Sequence, residues 1–185
     1  MTTYPYQRPP VTVTPVEWAR RIRVEQQARR AAAVEDRAAH RLGAEWHVVE
    51  TPTSGFLAIG PGGIFHVCLA QHGRSRVLIA GDVVQIGVKR PPQIANARKE
   101  ARKAAKALSA AIGHEIKVFP VLAFVGSGPI SVNGLPKYCV ITSYRELHKV
   151  LAATGKRIAP QTVEKLSRVA RRPSIWPDDR AAAHG

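Results

Sequence analysis

The sequence predicts a mixed α/β fold, a mixed sheet flanked by helices, and three observations carry that expectation. Short apolar runs with strand-like alternation occupy residues 46–86, and an alanine-rich stretch over 92–112 has helical periodicity. A compact apolar run from Lys117 to Val125 follows it. Several strands, a long helix and a further strand need a sheet with helices packed on it. With 185 residues, 45% of them hydrophobic, the chain can bury one core, so a single domain is expected over 14–172, between loose tails at 1–13 and 173–185.

The first tail holds Pro5, Pro9 and Pro10 and little apolar content, which favours extended chain. Thr14 as N-cap, Pro15 at the first helical position and Glu17 at the third then mark a helix start. Gly43 marks its stop, so a long N-terminal helix is expected over 14–42. In its second half Ala28, Ala31, Ala32, Ala38, Ala39 and Leu42 fall on one face, with Glu35 in the middle of that stripe. A carboxylate so placed needs a partner, for which Arg37 and Arg41 are at hand.

Strands are expected at 45–50, 55–59 and 64–70 and in two further short runs ending near Ile86, forming a three- or four-stranded antiparallel start. The turn Gly60-Pro61-Gly62-Gly63 reads as a hairpin rather than a phosphate loop, because no Lys-Ser/Thr pair follows it. From Pro92 to Ile112 the residues Ile94, Ala97, Ala101, Ala104, Ala105, Leu108 and Ile112 make one apolar stripe. On the opposite side Arg98, Lys99, Arg102, Lys103 and Lys106 fill an arc of about 140° at about 100° per residue. Only Glu100 offers a local partner, to Lys103, and Lys89 and Arg90 extend the cationic surface at the start of the helix. The 117–125 strand is expected beside the start of the sheet. Ser143 and Glu146 have capping-box spacing for a helix over 143–153, and a last helix over 161–171 stops before Pro173, where Ile175 and Trp176 fold back.

Lys and Arg number 28 against 13 Asp and Glu, a formal charge of +15, and such a field favours polyanions: DNA, RNA or an anionic membrane surface. Aromatic residues, 6% of the chain, do not interleave with the basic runs, so contact with duplex phosphates is expected rather than a stacking platform for single strands. No apolar run reaches about 18 residues, and the first ten residues contain no apolar signal core, so a soluble, cytoplasmic protein is expected. Cys68 and Cys139 lack metal-knuckle spacing and are expected to be reduced. His66 and Cys68 share a strand face, with His72 just beyond. A soft zinc site built from them and simple packing of a histidine and a thiol in the interior are both open.

The order of these pieces, with Ile59-Gly60-Pro61-Gly62-Gly63-Ile64-Phe65, the helix from Pro92, and the 118–125 strand followed by Val140-Ile141-Thr142-Ser143, resembles the nuclease-related domain (NERD) family over roughly 35–151. That family is a branch of the restriction-endonuclease-like fold, so the resemblance implies a core of that kind. It also implies an acid just before the strand that here is 56–59, an acid-x-Lys motif closing the strand that here is 64–70, and a helix glutamate near Glu35. In this chain the first position falls on Ser54 or Gly55, the second acid on Cys68 and the lysine on Ala70. Magnesium takes hard oxygen ligands, which a thiol does not replace, and alanine can neither orient a water nor steady phosphate charge.

The resemblance therefore implies a catalytically degenerate scaffold with no intact catalytic set, Glu35 its vestige, and no metal or cofactor. The charge, rather than the resemblance, points to nucleic acid as the partner, duplex DNA first, held by Lys89, Arg90, Arg98, Lys99, Arg102, Lys103 and Lys106. Two alternatives stay open. One is a magnesium-dependent nuclease whose acids have moved to Glu35, Glu50 and Asp82, and the other is a protein-interaction or membrane-surface module.

Overall fold

The computed structural model describes residue 33, residues 36–52 and residues 55–176. From residue 36 onward these belong to one compact unit, residues 35–185. Its elements are helix α1 (residues 36–42), strands β1 (His47–Glu50), β2 (Phe56–Gly60), β3 (Gly63–Gln71), β4 (Val77–Ala80) and β5 (Val83–Ile86), helix α2 (Gln93–Ile112), strands β6 (Phe119–Val125), β7 (Ile130–Val132) and β8 (Val140–Ser143), and helices α3 (Leu147–Ala152) and α4 (Pro160–Ala170). A single 3-10 turn, Pro173–Ile175, follows. Most of the expected N-terminal helix, Glu35 included, lies outside the described residues; residues 36–42 are helical.

A five-stranded mixed sheet forms the middle layer in the order β1-β2-β3-β6-β8. The first two pairings are antiparallel and the last two parallel, with Cys68 opposite Leu122 and Leu122 opposite Ile141. The 117–125 strand thus joins beside β3, the last strand of a three-stranded antiparallel start. That start does not run on to Ile86. β4 and β5 leave the main sheet and form a second one, ordered β5-β4-β7, in which β4 pairs parallel with β7 through Val77↔Ile130.

Side-chain alternation on the strands sorts the core into layers. Phe56, Ala58, Phe65, Val67, Val121 and Ala123 face Ala38 of α1 and Leu147 and Leu151 of α3. Leu57, Ile59 and Ile64 face α2 and α4, through Ala104, Leu108, Val163 and Leu166. At the other end of α2, Ile94 and Ala97 pack with Cys68, Ala70, Leu122 and Phe124 and with Val77 and Ile79 of the small sheet. Helix α2 therefore lies over the main sheet and also touches the second.

The alanines of α2 let its backbone approach the sheet closely, while Ile94 and Leu108, about 1% exposed or less, supply the larger apolar burial at about 1.5–3 kcal/mol each. Ala107 is buried and Ala105 only partly so, where the sequence pattern pointed to Ala105. Gly113 ends the helix in the left-handed conformation, φ 87°, its N–H bonded to the Ser109 carbonyl. Ser143 meets the capping expectation in part: its hydroxyl accepts from the Glu146 N–H at 3.3 Å, in a turn that precedes α3.

Between β2 and β3, Gly60 pairs with Gly63 across a two-residue loop. The Pro61 carbonyl accepts from the N–H groups of Arg157 and Ile158 at 2.7 and 2.9 Å, and a Cβ on Gly60 would overlap the Trp46 ring. This turn is packed and bonded to its own fold. Among the described residues no helix is long and apolar enough to cross a membrane.

Candidate nucleic-acid interface

The solvent side of α2 is built by its own period. With Ile94, Ala97, Ala101, Ala104 and Leu108 held inward, Lys99, Arg102 and Lys106 at i, i+3 and i+7 must form one outward row, about 10 Å long at 1.5 Å per residue. All three are exposed, and no ion pair engages them among the described residues. Lys89 and Arg90, also exposed, stand in the segment leading into the helix.

The other two cations of the expected arc are not equivalent. Arg98 donates to both carboxylate oxygens of Asp82, in the β4–β5 turn, at 2.8 and 2.7 Å, and also to the Lys137 carbonyl. The Asp82 carboxyl is held below its ordinary value first by that hydrogen bond, with smaller help from the charge of Arg98 and the Lys137 backbone. Lys103 is half-buried and pairs with Glu100 at 3.4 Å. The helix pattern offers Arg98 no local partner, and the structure supplies one 16 residues away, beyond any helical pattern.

Beside the row lies a cavity of about 520 Å3 lined by Arg98, Arg102, Lys137, Tyr138, Asp82 and Pro120, among others. Lys137 and Tyr138 belong to the loop between β7 and β8, and sequence reasoning missed both. The only local signal was the Asn133-Gly134 turn with apolar Leu135 and Tyr138 close after it. Tyr138 is 89% exposed, and at φ 53° it is the one non-glycine residue with positive φ among those described.

The positions that the resemblance assigns to metal chemistry lie elsewhere, on β3 under α2. Ser54 and Glu35 fall outside the described residues. Cys68 and Ala70 are 9% and 3% exposed. Gly55, φ 128°, runs so close to β3 that a Cβ would overlap the Val67 carbonyl oxygen, so no acid fits there on this backbone. Among the described residues no three of His, Cys, Asp and Glu gather as a metal would need. Asp82, one of the proposed relocated acids, is engaged by Arg98.

His66, buried beside Cys68, fits a consistent set of hydrogen bonds in its neutral form, accepting at one ring nitrogen and donating from the other. Its Nδ1 lies 3.4 Å from the Cys68 Sγ and its Nε2 3.4 Å from the Thr51 Oγ1, while the Thr51 hydroxyl donates to the Gly55 carbonyl at 3.2 Å. With the thiol donating to Nδ1 and Nε2–H donating to Thr51, each donor has an acceptor. Burial lowers the imidazole from 6.5 to about 4, against the nearby Glu100 carboxylate, and raises the Cys68 thiol to about 12, helped by Glu100 and Cys139. Nucleophilic cysteines need a thiolate, commonly paired with an imidazolium; here both groups are neutral at pH 7.

Compared with known proteins, the chain matches no family model, no curated protein and no solved structure.

Proposed function

We propose that this chain is a nuclease-related scaffold that binds duplex DNA along α2 without cutting it. The observation that carries the reading is the row Lys99, Arg102 and Lys106: exposed, on one helix face, and without ion pairs among the described residues. Three unneutralised cations on a rigid helix in a chain of charge +15 fit regularly spaced phosphates, and contact there displaces counterions from the duplex.

The order of antiparallel β1-β2-β3, then α2, then parallel β6 accords with the nuclease-related resemblance. Its silent chemistry is supported by Cys68, a neutral buried thiol, and Ala70, which carries no functional group.

The test is a salt titration of duplex binding beside a plasmid-cleavage assay with magnesium and manganese. The logarithm of the binding constant should fall against the logarithm of salt with a slope of about −0.9 per phosphate contact, and replacing Lys99, Arg102 and Lys106 together by Gln should flatten it by about 2 to 3. Cleavage should be absent. An unchanged slope in the triple variant would move the surface off α2, and absence of binding at about 50 mM salt would favour an acidic protein partner.

A further inference from the structure

We infer that the cavity between α2 and the β7–β8 loop takes an unpaired nucleotide, its base stacked on Tyr138 and its phosphate held by Arg102 and Lys137. The inference rests on the nucleic-acid reading and extends it to a structural preference: strand ends and unpaired nucleotides over uninterrupted duplex.

Three independent observations meet at this place. First, the cavity, at about 520 Å3, has the size of small-ligand sites, which run to roughly 300–1,000 Å3, and three cations against one carboxylate line it. Asp82 already holds Arg98, so Arg102 and Lys137 are the cations left for an anion. Second, an aromatic ring stands almost wholly in solvent at its edge. Exposed Tyr138 is not covered by the protein's own core, and a base has the flat apolar face that such a ring accepts.

Third, the backbone is held where a tyrosine ordinarily does not go. At φ 53° a residue with a Cβ is disfavoured, and glycine or asparagine would sit there more easily. Its neighbours are anchored. Arg98, fixed by Asp82, donates to the Lys137 carbonyl, while Pro136 and Cys139 on either side are buried. An exposed aromatic on an anchored loop beside two cations offers the ring and the charges that base stacking with phosphate contact uses.

The measurement compares a blunt duplex with a duplex of equal phosphate number that ends in a short single-stranded overhang, both at about 50 mM salt. Wild-type protein should bind the overhang tighter by about fivefold or more for one stacked base. Tyr138→Phe should keep that preference. Tyr138→Gly should abolish it, leave blunt-duplex affinity within error, and leave the thermal midpoint unchanged or raised, since glycine suits the backbone there. Equal affinity of wild-type protein for the two duplexes, or a preference that survives Tyr138→Gly, overturns the inference while the α2 reading stands. If neither duplex binds, the nucleic-acid reading fails, and a titration with adenosine monophosphate decides: binding lost in Tyr138→Gly retains the cavity as a nucleotide site, and no binding overturns it.

Discussion

Arg98 and Asp82 join α2 to the β4–β5 turn through two hydrogen bonds, at 2.8 and 2.7 Å. Because the same guanidinium bonds the Lys137 carbonyl, one residue of the basic helix positions the cavity instead of offering its charge to a ligand.

Asp82→Asn should therefore free a cation. The variant removes a carboxylate from the cavity and releases Arg98, so duplex affinity at low salt should rise and the salt slope steepen by up to about one contact, near −0.9. Arg98→Gln should act differently, loosening the 133–139 loop and weakening overhang binding more than blunt-duplex binding. Identical salt slopes for wild type and Asp82→Asn would mean that Arg98 never reaches a phosphate.

Acid should destabilise the fold through His66. Its folded value, about 4, lies below its ordinary 6.5, so between those pH values the unfolded chain takes up a proton that the folded chain refuses. The contribution is whole above about pH 6.5 and lost as pH falls toward 4, up to roughly 3 kcal/mol. Urea midpoints across that range should fall more steeply for wild type than for His66→Leu, which is apolar and does not titrate. Parallel profiles would show that other groups dominate acid unfolding.

An acid introduced at residue 55 should fail structurally. Gly55→Asp places a Cβ into the Val67 carbonyl at a φ of 128°, so β2 must move off β3. The expected loss is on the order of 3 kcal/mol or more, read as a shift in urea unfolding with the slope unchanged. Soluble Gly55→Asp protein with wild-type stability would show that the β1–β2 loop has another conformation.

An acid and a lysine introduced at residues 68 and 70 should also give no nuclease. Cys68→Asp with Ala70→Lys sets two charges among Val77, Ile79, Leu122 and Phe124 beneath α2, where each must be desolvated. A loss of several kcal/mol, roughly 3–5, and no plasmid cleavage with magnesium are expected. Cutting by this double variant would show that the site is wetter than the packing around Ala70 allows.

Helix α2 was legible in the sequence because one face is almost wholly alanine and isoleucine or leucine at helical spacing, and burial follows that spacing at Ile94, Ala97, Ala101, Ala104 and Leu108, though not at Ala105 and Ile112, which are only partly buried. The strands β2, β3 and β6 were legible for the same kind of reason: each is a dense apolar run between turns. The second sheet was not, since it depends on Val77 meeting Ile130, a parallel pairing between segments far apart in sequence that no local pattern encodes. Of the interface, the row Lys99, Arg102 and Lys106 could be read from the helix period. Lys137 and Tyr138 could not, because a loop has no period and its place beside α2 is set by Arg98 and Asp82, a contact formed only when three elements are already in position.

The chain passes from the main sheet to the small one after β3, returns through α2 to β6, leaves again for β7 and returns at β8. Closing the small sheet through Val77↔Ile130 thus awaits the whole intervening stretch, and the segment with Lys137 and Tyr138 is the return limb of the last passage. Contacts of such long sequence separation carry a loop-closure cost that local ones do not, which orders events in time. Refolding should complete α2, with its row of cations, before the cavity beside it exists. A fluctuation that releases β7 would dissolve the cavity and spare the row, so the two surfaces have separate lifetimes, distinguishable by amide hydrogen exchange at Asn133, whose N–H is bonded to the Ile79 carbonyl, and at Ala104.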